Sequence, residues 1–237
     1  MGVAGGPDII TNGLILELDA ADRNSYPGSG TTWRDLSGLG NNGTLTNGPT
    51  FSSENGGVIV LDGADDYVVI PHNSVFNFGT GPFTIMLTIS SAQLENTTAY
   101  IKKGGPTEWN NSPAGWYATS GNGGADLSWY WVLANGTSHA EIPPASTFSK
   151  SNDTFGLNFF SITRDSSGNI YRCWNGLYQL AATGWTSSFD NSSDIWIGRG
   201  TNNYLNGKCA FVRIYNIALT EQQVLQNYNA MKTRFGL

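Results

Sequence analysis

The chain has 237 residues, a length at which an all-β sandwich or barrel is commonly one domain. With 39% hydrophobic and 12% aromatic residues it can build a core, which excludes a disordered chain, and its net charge of −6 repels phosphate backbones and anionic membrane surfaces, which sets nucleic acid aside as a partner. Only 13% of residues are charged, against a usual share of about 25%, so polarity comes from Ser, Thr, Asn and 30 Gly, the chemistry of many strands joined by tight turns.

Residues 1–12 are Gly-rich and without periodicity, and are expected to form an arm, either mobile or docked on a neighbouring subunit. The start lacks the basic residues and apolar run of a signal peptide, and no segment of about 18 apolar residues follows, so synthesis in the cytoplasm and no membrane insertion are expected. Leu14-Ile-Leu-Glu-Leu-Asp19 alternates Leu14, Leu16 and Leu18 against Ile15, Glu17 and Asp19, a strand with one buried side. Residues 20–57 read as loop. Val58–Leu61 and Tyr67–Ile70 flank the turn Asp62-Gly-Ala-Asp-Asp66 and predict a hairpin.

Phe83–Ile89 is the cleanest alternation, with Phe83, Ile85, Leu87 and Ile89 on one face and Thr84, Met86 and Thr88 on the other. Further strands are predicted at 98–101, 115–119, 127–133, 157–163, 194–198 and 208–215. Asn169–Trp174 and Leu177–Leu180 are joined by Asn175-Gly176, whose tolerance of positive φ marks a type I′ hairpin. Thr220-Glu-Gln-Gln223 fits a capping box, and Val224, Leu225, Tyr228 and Met231 fall on one face, so a helix is predicted over 221–232. Cys173 and Cys209 lack metal-binding spacing; both sit in apolar strands, read as buried thiols with a cross-strand disulfide as the alternative.

Four segments in this order, Gly13-Leu-Ile-Leu-Glu-Leu-Asp-Ala20, Leu61-Asp-Gly-Ala-Asp-Asp-Tyr-Val68, Ile162-Thr-Arg-Asp165 with the Trp174-Asn-Gly176 turn, and Gly207-Lys-Cys-Ala-Phe-Val-Arg-Ile-Tyr-Asn216, resemble the laminin G-like, concanavalin A-like jelly-roll superfamily. The resemblance implies an all-β antiparallel two-sheet sandwich over residues 13–237, including the C-terminal helix, with glycan or protein binding at loops or a sheet face and often a structural Ca²⁺. Ser25–Trp33, Asp35–Gly38, Asn41–Pro49 and the ending Gln226–Asn229 with Arg234-Phe235 resemble a subgroup found in tailed-phage structural proteins. That implies a virion location and other virion proteins as partners, in capsid decoration or a fibre or tail appendage that can also contact host-surface glycans; by analogy it also implies a homo-oligomer, a trimer. The alternative is a free carbohydrate-binding module.

Catalysis is not expected. Retaining glycoside hydrolysis needs two carboxyls about 5 to 5.5 Å apart; Glu17 and Asp19 share a strand face, but Ala20 and Ala21 follow, Glu108, Asp126 and Glu141 stand alone, and His72 and His139 have no nucleophile motif. No cofactor is required, while Asp62, Asp65 and Asp66 offer hard oxygen ligands for Ca²⁺. In metal-binding relatives a later strand carries an acid where this chain has Ala210. For glycans, the flat faces of Trp109, Trp116 and Tyr117 lie in or beside a polar loop region, whereas Trp129, Trp131, Trp174 and Trp196 sit inside strands and read as packing.

Overall fold

The computed structural model describes residues 7–92, 99–104, 114–123, 126–142, 148–149, 155–201 and 203–237, with the backbone alone for 120–123, 126–129, 148–149 and 155. The strands are β1 Leu14–Asp19, β2 Thr32–Trp33, β3 Gly43–Thr46, β4 Thr50–Ser52, β5 Val58–Asp62, β6 Tyr67–Ile70, β7 Phe83–Ser91, β8 Ala99–Gly104 and β9 Gly115–Gly123. They continue with β10 Asp126–Ala134, β11 His139–Ile142, β12 Phe148–Ser149, β13 Phe155–Arg164, β14 Ile170–Trp174, β15 Leu177–Ala182, β16 Ile195–Ile197 and β17 Asn206–Tyr215. One helix, α1 Glu221–Phe235, follows.

Two antiparallel sheets face each other. The first runs β15-β14-β13-β7-β17-β5-β4, with β1 also on β17; the second runs β11-β10-β9-β8-β16-β6-β3-β2, with β12 on β10. The jelly-roll sandwich expected from the sequence is therefore the fold. Ile85, Leu87 and Ile89 meet Ile101, Trp116, Trp131, Ile195 and Ile197 in the core between the sheets. A second apolar layer lies on the outer face of the first sheet, where Met86, Phe159, Phe211 and Tyr215 pack under Val224, Tyr228 and Met231 of α1. Central strand β7 is consequently buried on both faces, which is why the residues opposite its core positions are buried too.

Several local expectations hold. Asn175 and Gly176 both take positive φ, 42° and 88°, and Trp174 pairs with Leu177 across them. The Thr220/Gln223 capping box is formed, and Gly236 closes α1 in the left-handed conformation, so the helix runs to Phe235, three residues beyond the expected 232. Both cysteines are buried free thiols. Burial pushes Cys173 up to about 12 and Cys209 higher still, which suppresses thiolate formation.

Other expectations are corrected. β5 and β6 do not form a hairpin: β5 pairs with β17 and β4, β6 with β3 and β16, so the 62–66 turn crosses from one sheet to the other. The register of β1 shifts between Leu14 and Leu16; that bulge sends Leu14 to the helix side and both Ile15 and Leu16 into the inter-sheet core. The 20–57 segment carries three short strands, fastened by side chains rather than by apolar alternation. Asp35 accepts hydrogen bonds from the backbone N–H groups of Glu17, Ser37 and Asn41 and from the Ser37 hydroxyl, while Asn41 donates to the Ile15 carbonyl. Residues 8–10, expected in the arm, are tied to α1: Gln226 donates to the Asp8 carbonyl, the Ile10 N–H to Asn227, and the Tyr215 hydroxyl to the Ile10 carbonyl.

Candidate functional site

The paired acids on β1 are occupied. Arg213, 2% exposed, stands opposite Glu17 in the β1/β17 register; its Nε lies 3.0 Å from Glu17 Oε1 and its Nη2 3.6 Å from Asp19 Oδ2. Arg234 of α1 adds a 2.7 Å contact to Asp19 Oδ1. Both carboxylates lie beside the helix, and neither faces an open cleft with a free partner as acid-base hydrolysis requires. Glu141 lies 3.4 Å from His139, Glu108 falls outside the described residues, and Asp126 is described in its backbone alone.

The aromatic platform expected around Trp116 is corrected. Trp116 is 1% exposed and points into the inter-sheet core, so no sugar can reach its ring. Tyr117, its neighbour on β9, points to the other face but is 8% exposed; burial, with the Glu141 charge, pushes its hydroxyl up to about 12. Trp109 lies outside the described residues.

The corner between β5 and β6 does bring Asp62, Asp65 and Asp66 together, with one oxygen of each within 4.8 Å of the others. Asp62 accepts the N–H groups of Ala64 and Asp65, and the Ala64 bond leads in holding its carboxyl low; burial and the Asp62 charge raise that of Asp66. Ca²⁺ binds oxygens at about 2.3 to 2.6 Å, so the spacing admits an ion held by all three. Ala210 is not beside this turn. It packs in the helix-side layer, and the residue facing Asp62 across the β5/β17 register is Asn206.

Next to this corner lies an assembly that the sequence reading passed over. The alternation Ile195-Trp-Ile197 sends both isoleucines into the core and Trp196 to the outer face of the second sheet, half-buried. Gly198 then turns the chain at φ 80°, where a Cβ would come within 2.3 Å of Leu61; only glycine fits. The Arg199↔Tyr204 bridge and the Gly200 N–H bond to the Asn203 carbonyl bring Tyr204 back beside Tyr67, the first residue of β6. Arg199 lies among the three rings, its guanidinium carbon 4.2 Å from the Trp196 centroid, 4.7 Å from Tyr67 and 5.8 Å from Tyr204. All four side chains are neither fully buried nor fully exposed. Lys102 faces Trp196 in the β16/β8 register, 8% exposed, its ammonium 3.3 Å from the Thr201 hydroxyl. Among the described residues no helix is long and apolar enough to cross a membrane.

Comparison with known proteins agrees with this architecture. No curated protein sequence matches the chain. Among solved structures, the binding domain of Paraclostridial Mosquitocidal Protein 1 superposes with a TM-score of 0.69 at 19% identity, covering 92% of this chain and 52% of that one. The binding domain of botulinum neurotoxin DC in complex with rat synaptotagmin II gives 0.67 at 18% identity, covering 94% and 52%. The botulinum neurotoxin serotype D ligand-binding domain in complex with N-acetylneuraminic acid gives 0.67 at 16%, covering 92% and 51%. The chain thus spans about half the length of these structures, and at such identities the likeness is one of fold. The family model described as the concanavalin A-like lectin/glucanases superfamily matches residues 62–225, from the aspartate corner through the aromatic rim to α1, and the chain belongs to that superfamily.

Proposed function

We propose that the protein is a non-catalytic carbohydrate-recognition module whose ligand surface is the rim of Tyr67, Trp196, Arg199 and Tyr204. The observation that carries this reading is the placement of three aromatic rings, part-exposed, on an outer sheet face around the Arg199 guanidinium rather than in the core. Aromatic faces stack on the apolar faces of sugar rings, and nearby polar groups bond the hydroxyls. The occupied Glu17 and Asp19 support recognition without hydrolysis. Trp196→Ala is expected to weaken saccharide binding about tenfold, or about 1.4 kcal/mol, read by calorimetry against the best ligand of a glycan array. Tyr204→Ala, at the rim's outer end, serves as the second variant. Full retention of affinity in both would remove the rim from consideration.

The aspartate corner is proposed as a Ca²⁺ site that steadies the same rim, since Asp66 leads directly into Tyr67. Millimolar Ca²⁺ in place of chelator is expected to raise Tm by about 2 to 4 °C for each kcal/mol of binding energy, and Asp62→Asn to cancel the rise. An unchanged Tm in the native chain would leave the aspartates with the turn as their whole role.

A place for the module on a virion, as capsid decoration or a fibre or tail part, is supported by the phage-like segments in the sequence. Many of those residues also have work in the fold: Trp33 is fully buried, Ser25 accepts the Asp19 N–H and donates to the Arg34 carbonyl, and Asp35 organises its loop. Mass spectrometry of purified particles decides the matter. Copies in proportion to the major capsid protein indicate decoration, a few per particle an appendage, and absence leaves a free module.

A further inference from the structure

Two positive side chains, Arg199 and Lys102, lie at the rim with no negative partner among the described residues. Among the described residues no carboxylate forms an ion pair with Arg199 or Lys102, in a chain whose net charge is −6. The neighbouring Lys103 makes the contrast clear: its ammonium, on the inner side, donates to the Asn191 carbonyl at 2.7 Å and to Asn191 Oδ1 at 3.0 Å. Lys102 is also buried, at 8% exposure, but among the described residues its ammonium has one hydrogen-bond partner, the Thr201 hydroxyl. Burial and the Arg199 charge both drive its pKa down, the mark of a cation held where folding alone disfavours it.

The geometry at Arg199 specifies the missing partner further. The guanidinium carbon lies 4.2 Å from the Trp196 centroid and 4.7 Å from that of Tyr67, and the planar group carries its N–H donors as a fork. Nε is buried and makes no hydrogen bond. An in-plane fork of donors beside an ammonium, walled by aromatic rings, matches a carboxylate attached to a sugar ring: the carboxylate takes the fork and the ring takes the aromatic wall. Resting on the carbohydrate reading above, we infer that the rim selects acidic saccharides, with Arg199 and Lys102 receiving the sugar carboxylate.

The test uses the full chain and two matched pairs, sialyllactose against lactose and trigalacturonate against its methyl ester. The acidic member of at least one pair is expected to bind about tenfold more tightly, as one charge-assisted contact supplies, and the preference should shrink at high salt. Arg199→Gln should abolish the preference, so that the acidic and neutral members of each pair bind equally. Arg199→Lys should fail to restore it, because the charge returns without the fork; Lys102→Met should reduce it. Equal binding of acidic and neutral members by the native chain overturns the inference and leaves the aromatic rim standing. A preference that survives both Arg199→Gln and Lys102→Met overturns it too, placing acid recognition elsewhere. No saccharide binding at all removes the carbohydrate reading together with the inference.

Discussion

Arg164→Leu is expected to cost about 4 kcal/mol of stability and to lower Tm on the order of 10 °C. Arg164 is fully buried at the end of β13. Its Nε donates to the Gly81 carbonyl at 2.9 Å, Nη1 to the Ser187 carbonyl at 2.7 Å and Nη2 to the Gly79 carbonyl at 2.8 Å, and the guanidinium lies between the Phe83 and Phe189 rings, 5.1 and 4.5 Å from their centroids. One side chain therefore holds two separate loops, 78–81 and 185–190, to the end of the sandwich. Leucine fills part of the volume but leaves three part-buried carbonyls without their donor. Lysine keeps the charge without the planar fork and should recover only part of the loss. Urea melts read the effect as a shift of midpoint at unchanged slope; a loss under about 1 kcal/mol would show that water replaces the guanidinium there.

Arg213→Met is expected to cost about 3 to 5 kcal/mol, because it strands Glu17 and half of the Asp19 pairing beside the helix. The arginine is 2% exposed, stacks 4.6 Å from Phe211, and is the cation that Glu17 contacts. Adding Glu17→Gln to Arg213→Met should return a substantial part of the loss, since the buried charge without a partner is then gone. If the double variant is no more stable than the single one, packing of the arginine stem rather than the charge explains the damage. The same cycle bears on chemistry: a carboxylate whose removal rescues stability is a structural anion.

The parts of the fold legible in the sequence are those whose cause is local. Asn175-Gly176 states its own φ requirement, Thr220 and Gln223 cap a helix without outside help, and the alternation through Phe83–Ile89 records a face against a core. What depends on distant partners was not legible. The turn at Asp62–Asp66 looks the same whether its flanking strands pair with each other or diverge into different sheets, and β17 and β3 decide that. Trp116 and Tyr117 sit beside a polar loop in sequence, yet the β8/β9 pairing buries them. Trp196 carried a readable signal, since two core isoleucines on either side force the indole outward. Its companions did not: Lys102 and Tyr67 join it only through strand pairings with distant parts of the chain, and Tyr204 returns to it through a turn that carries no sequence alternation.

The layer formed by α1 and residues 8–10 lies on the outer face of the first sheet, and the aromatic rim lies on the outer face of the second. The molecule therefore has a back and a front. A larger body attached near residue 7 would hold the domain by its back, with the full thickness of the sandwich between that attachment and Trp196. Such a mount turns the rim away from whatever carries it, and an array of identical copies would present a field of rims toward the surroundings, where weak individual contacts combine through avidity.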